Sequence, residues 1–189
     1  FYSPYLPKHV GGGEKHLFDV ALAAAQKHEV SIALPEEEAL NVAKIVKQYE
    51  EFIGVSLSDL QFVKSPLYVG SAAAKLLWTA QYDAIYYVTD GSLFFSLARK
   101  NYLHIQVPLL LDKSSFVERL KLKNWSHINT NSEFTKKVIE RSWHAHVDLV
   151  LHPQVSVPKR MIKKKKRIIL HVGRFFKQLH AKRQDVLID

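Results

Sequence analysis

The sequence predicts an α/β domain built on a doubly wound parallel sheet with helices on both faces, followed by the opening strand, turn and helix of a second such domain. Three observations predict it. Short β-branched or aromatic runs alternate with longer helical patterns, the signature of βαβ units. Two glycine-bearing turns, GGGEKH at residues 11–16 and HVGR at 171–174, stand just past strand ends. The length of 189 residues exceeds one compact α/β domain and falls short of two at roughly 150 each.

The elements follow in order. Only two or three residues precede the first loop, so a leading strand is expected to be shortened at Phe1. The segment Glu14 to His28 puts Leu17, Phe18, Ala21, Leu22 and Ala25 on one helical face. VSIALP from Val30 is a strand. A helix is expected from Glu36 to about Phe52, opening on three glutamates that suit the positive end of a helix dipole. LQFV from Leu60 is the next strand, SAAAKLLWTAQY from Ser71 a helix, and DAIYYVT from Asp83 a buried strand that breaks at Asp90-Gly91-Ser92. A loop and a helix are expected there.

YLHIQVP from Tyr102, SHINTNS from Ser126 and VDLVLHP from Val147 supply three more strands, with the helix SEFTKKVIERSW between the last two. Ser132 is a good N-cap for it, although Thr135 takes the place of a capping-box glutamate. From Pro153 the chain changes character and runs into Lys163-Lys164-Lys165-Lys166-Arg167, the expected interdomain linker. RIILHV then starts a fresh sheet, and KRQDVLID begins a helix that stops at Asp189.

Composition limits the function classes. Apolar residues make up 47% and charged residues 24%, so a buried core is attainable and disorder is disfavoured. The excess of 27 Lys+Arg over 18 Asp+Glu gives +9, which favours an anionic partner without choosing among phosphate, nucleic acid and an acidic membrane. No cysteine is present, so thiolate metal sites and disulfides are excluded. No apolar run reaches the length of a membrane-spanning helix.

Three constellations carry chemistry. Gly11, Gly12 and Gly13 lie between a strand end and a helix start, where backbone approaches a ligand closely and free N–H groups face it; a tight turn needing positive φ is the equal alternative. The spacing is not GxGxxG, which disfavours a dinucleotide cofactor. Arg174 and Lys182 suit a diphosphate, the guanidinium forking onto paired oxygens and the ammonium adding a compact charge that helps a nucleoside diphosphate depart. The alternative is two solvated loop charges. Asp90, Gly91 and Ser92 stand at the ligand-facing sheet edge, where Asp90 is the candidate for binding a hydroxyl, and a plain Asp-Gly turn is the competing reading. His16, in the first turn behind the glycines, reaches toward an acceptor or the phosphates, or else is a surface histidine. Neither HExxH nor any other zinc spacing occurs among the ten histidines, and His144 with His146 makes no metal site alone.

SPYLPKHVGGGEKHLFDVALA, NTNSEFTKKVIERSW and RIILHVGRFFKQLHAKRQDVLID together resemble the family 4 retaining glycosyltransferases over essentially the whole chain, the last stretch being the most specific. The resemblance implies a GT-B architecture of two Rossmann-like domains, with residues 1–155 on the acceptor side, 156–166 as linker and 167–189 as the truncated start of the donor domain. It implies that Gly11 and Gly12 lie under the donor diphosphate and that Arg174 and Lys182 hold it, with Lys177 in reserve. Relatives often carry a histidine near Asp90, close to the reacting sugar; here the aspartate replaces it, and no catalytic residue is assigned. The activity implied is transfer of a sugar from a nucleoside-diphosphate sugar to a hydroxyl acceptor with retention, by front-face attack or a short-lived ion pair, in glycan or glycolipid synthesis.

Further expectations follow from the same resemblance. With no Asp-x-Asp in the sequence, neither metal nor cofactor is expected, the nucleotide sugar being a substrate. The expected partners are a nucleotide sugar and a saccharide or lipid-linked acceptor, in the cytoplasm or peripherally at the inner membrane face, and no nucleic acid. The family's E-x7-E pair is not found up to Asp189, so residues 1–189 alone are expected to be inactive. The second reading is a basic α/β module for nucleic acid or an acidic membrane, motivated by +9 and the lysine run, though no RNP-like or helix-turn-helix pattern accompanies it.

Overall fold

The computed structural model describes residues 1–8, 10–111, 113–155, 167, 168 and 170. The chain divides into two units, Phe1–Gln154 and Val155–Asp189, and every element below belongs to the first. Arg174, Lys182, Lys177 and the run Lys163 to Lys166 lie outside the described residues.

The strands are β1 (Ser31–Leu34), β2 (Gln61–Lys64), β3 (Ala84–Val88), β4 (Lys100–Ile105), β5 (His127–Thr130) and β6 (Leu149–Val150). The helices are α1 (Gly12–Ala25), α2 (Val42–Ile53), α3 (Ala72–Thr79), α4 (Phe116–Asn124) and α5 (Glu133–Trp143). All strand pairs are parallel, β1 with β2 and then β3-β4-β5-β6 in order.

Phe1 and Tyr2 join these two groups. Phe1 N donates to Ser31 O at 2.7 Å and Phe1 O accepts from Ala33 N at 2.9 Å. On the other side Tyr2 N donates to Tyr86 O and Tyr2 O accepts from Val88 N, both at 2.9 Å. The shortened leading strand expected at Phe1 is therefore present, between β1 and β3. Counting it as the first strand, the order across the sheet is 3-2-1-4-5-6-7, the Rossmann-like arrangement extended by one strand. Its direction reverses between Tyr2 and β3, and that topological switch point is where such sheets open a crevice at the strands' carboxyl ends.

Strand alternation divides the core between the two faces. Ile85, Tyr87, Leu103, Ile105 and Ile128 face one way and pack with Trp125 and Ile139. Ile32, Leu34, Tyr86 and Val88 face the other and pack with Leu17, Phe18 and Tyr49 of α1 and α2. Helices thus cover both faces, because residues i and i+2 of each central strand are apolar in both registers.

Four local outcomes differ from the sequence reading. α1 begins at Gly12 and ends at Ala25, since Gly12 and Gly13 take helical backbone. The glutamates after Pro35 form a turn and a short 3-10 segment, Glu38–Asn41, and Asn41 at φ −116°, ψ 30° interrupts it before α2. No helix follows Asp90: residues 93–98 are irregular, tied down by Asn124, which accepts from Ser96 N at 2.7 Å and donates to Ser96 O at 3.0 Å. α4 was missed, although Ser115 Oγ accepting from Glu118 N is the capping-box pair that S-x-x-E announces.

Candidate functional site

The loop from Ser3 to Gly11 leads from the first strand into α1, so the N-terminus of α1 stands at the switch point. Gly11 is its N-cap, with extended backbone at φ −165° and no side chain to satisfy the first-turn N–H groups. Positive φ occurs at Gly54 and Gly91 but not at Gly11, Gly12 or Gly13, so the tight-turn reading of these glycines is overturned. What distinguishes them is space. A Cβ on Gly12 would meet nothing within 4 Å, whereas one on Gly13 would come within 2.8 Å of Gln106 Oε1. Gly12 leaves the helix entrance open, and Gly13 lets the residue after β4 sit against the first turn of α1. Uncapped N–H groups on the positive end of a helix dipole suit an anion.

Lys15, in the same turn, is not offered to that anion. Its Nζ holds Asp19 at 2.6 Å and reaches Gln154 O at 3.5 Å. His16 is buried at 3% exposure rather than on the helix surface. Its Nε2 meets Tyr86 OH at 3.2 Å, and its ring stacks on His104 at 4.0 Å between centroids. Burial, with Lys15 adding and Asp19 opposing, lowers its pKa.

His104, fully buried on β4, bonds through Nδ1 to Asn129 Oδ1, which requires the proton on Nδ1 and leaves Nε2 a lone pair with no partner among the described residues. Burial first, then His16, push its pKa down to about 3. Two neutral imidazoles thus form a polar layer under the site, and no sequence motif announced their pairing.

The turn after β3 is self-satisfied. Asp90 Oδ1 accepts from Ser92 N at 3.0 Å, from Ser92 Oγ at 2.7 Å and from Tyr87 OH at 3.2 Å, while Gly91 N donates to Thr89 Oγ1. Desolvation raises the Asp90 pKa, but the bonds from Ser92 and Tyr87 outweigh it and hold the carboxyl below its ordinary value. Asp90 is exposed and ionised, suited to accept hydrogen bonds from hydroxyls rather than to take a proton at neutral pH. Gly91 is buried at φ 103°, and a Cβ there would come within 2.6 Å of Leu111 Cδ1 and 3.0 Å of Leu109 Cδ1. Its role is to make the turn beneath those leucines, not to meet an acceptor.

Tyr5 links the two turns. Burial raises its phenol pKa, and the charges of Asp90 and Glu14 raise it further, so both carboxylates lie within electrostatic reach of one 42% exposed ring. Tyr5 was not singled out in the sequence, and neither was Gln106. Asn131 Nδ2 donates to Gln106 O at 2.8 Å, and Asn131 Oδ1 accepts from Thr135 Oγ1 at 2.9 Å, which fixes the ends of β4 and β5 beside α1. The edge therefore combines an open helix N-terminus, an ionised hydroxyl acceptor and a phenol between them.

Among the described residues no group of three or more His, Cys, Asp or Glu is placed to hold a metal ion. Compared with protein-family models, curated proteins and solved structures, the chain gives no match.

Proposed function

We propose that the chain is the acceptor-side domain, with the start of the donor domain, of a retaining glycosyltransferase that uses a nucleoside-diphosphate sugar. The observation that carries the reading is the uncapped N-terminus of α1, open over Gly12, at the switch point of the sheet. An anionic diphosphate is the ligand such a terminus favours. The resemblance of the HVGR segment adds Arg174 and Lys182 as the cations that stabilise charge on the departing nucleoside diphosphate. In this scheme the acceptor hydroxyl is oriented by Asp90 and attacks the anomeric carbon on the face the leaving group vacates. The sugar–phosphate bond breaks, the new glycosidic bond keeps the configuration, and the hydroxyl proton leaves with the departing phosphate.

Calorimetric titration of the 189-residue chain with UDP, GDP, ADP and their sugar conjugates tests this. Binding to one nucleotide series is expected, weakened roughly tenfold or more in R174Q, the scale of a lost charge-assisted pair. Binding to no nucleotide, or equal binding by R174Q, contradicts the proposal. Salt-dependent RNA binding indifferent to every nucleotide sugar would point instead to a basic binding module.

A further inference from the structure

α4 is amphipathic the wrong way round. Of its apolar residues only Leu122 is buried, while Phe116, Val117 and Leu120 are 76%, 53% and 41% exposed. A helix that serves only to cover a sheet turns its apolar stripe inward, and an exposed cluster of this kind marks an interaction surface. Beside it a groove of about 730 Å³ runs toward the C-terminal end of α5. Phe116 and Leu120 form one wall, the region of Trp125, Ile128 and Trp143 the floor, and His144 the far end.

The charges around this surface have one sign. From Lys113 to Lys123 four cations accompany a single carboxylate. Lys113 and Lys121 hold that carboxylate, Glu118, at 2.6 and 2.9 Å. Arg119 and Lys123 line the groove, are exposed, and have no ion-pair partner among the described residues. Asp148 at the groove's end already accepts from Ile128 N at 2.8 Å. An apolar wall under a free cationic rim complements an amphiphile with an anionic head.

We infer that α4 and its groove dock the protein on an anionic phospholipid bilayer, Phe116 and Leu120 entering the acyl boundary and Arg119 and Lys123 meeting lipid phosphates. The inference stands on the α4 surface alone, independent of the glycosyltransferase reading. No helix among the described residues is long and apolar enough to cross a membrane, so this contact is interfacial.

Co-sedimentation of the full chain with phosphatidylglycerol-containing vesicles, and with phosphatidylcholine vesicles as the neutral control, tests it. Binding is expected only to the anionic vesicles and should fall with salt. The double variant F116S/L120S should weaken it roughly tenfold or more, and R119Q/K123Q roughly tenfold to thirtyfold. All four side chains are exposed, so both variants should keep the parent circular dichroism and melting temperature. Binding untouched by these changes but abolished when Lys163 to Lys166 are all replaced by Gln would overturn the inference. So would no vesicle binding at all, including the case in which self-association is instead lost in F116S/L120S, which would make the face a protein interface.

Discussion

His104 is the residue whose surroundings speak most directly about stability. Burial, reinforced by His16, holds its folded pKa near 3 against an ordinary 6.5. Between those values the unfolded chain binds a proton that the folded chain does not, so stability rises with pH across that window. The contribution is complete above about pH 6.5 and is lost progressively toward pH 3. Urea denaturation at pH 7.5 and pH 5 should differ by about 2 kcal/mol from this group, at about 1.4 kcal/mol per pH unit. His16, also lowered, acts in the same direction. H104Q should remove most of the difference, and an undiminished acid loss in that variant would contradict the assignment. None of this was legible beforehand. His104 sits inside a strand-like run and His16 on an apolar helix face, and their stacking depends on α1 lying over β4, a contact distant in sequence.

At the scale of elements, legibility follows from how local the determinants are. α5 was read correctly from Ser132 onward because its cap is contained in four residues: Ser132 Oγ accepts from Thr135 N at 3.2 Å. S132A should cost about 1 kcal/mol in the same urea assay. α5 buries Ile139 and Trp143 in the core, so the loss should appear in global unfolding rather than as fraying. An unchanged midpoint would show that the cap bond contributes nothing net. α3 and β3 were equally local. The expected helix after Asp90 failed for the opposite reason, since that segment is held irregular by Asn124, some thirty positions on. α4 carried a readable capping pair, but its outward apolar face defeats a reading that looks for buried stripes.

For the whole first unit, periodicity was enough for the α/β class and the parallel sheet, because a strand apolar in both registers demands helices on both sides. The strand order was not in the pattern; it emerges from Phe1 and Tyr2 pairing with strands about thirty and eighty residues away. That order puts the glycines at the switch point and makes Gly12 an open doorway rather than a turn. The candidate site was thus half legible: Gly11, Gly12 and Asp90 by position, Tyr5 and Gln106 only through packing. The central claim is that the N-terminus of α1 receives an anionic nucleotide sugar. Backbone amide NMR shifts of the chain during titration with the same nucleotide sugars test it most directly, alongside G12D. Asp at that first-turn position meets no obstruction and should leave the fold as stable or more so by about 0.3–1 kcal/mol, while repelling the phosphates. The account predicts the largest shifts at Gly12, Gly13 and Glu14 and their loss in G12D; undisturbed amides there, or shifts identical in G12D, would contradict it.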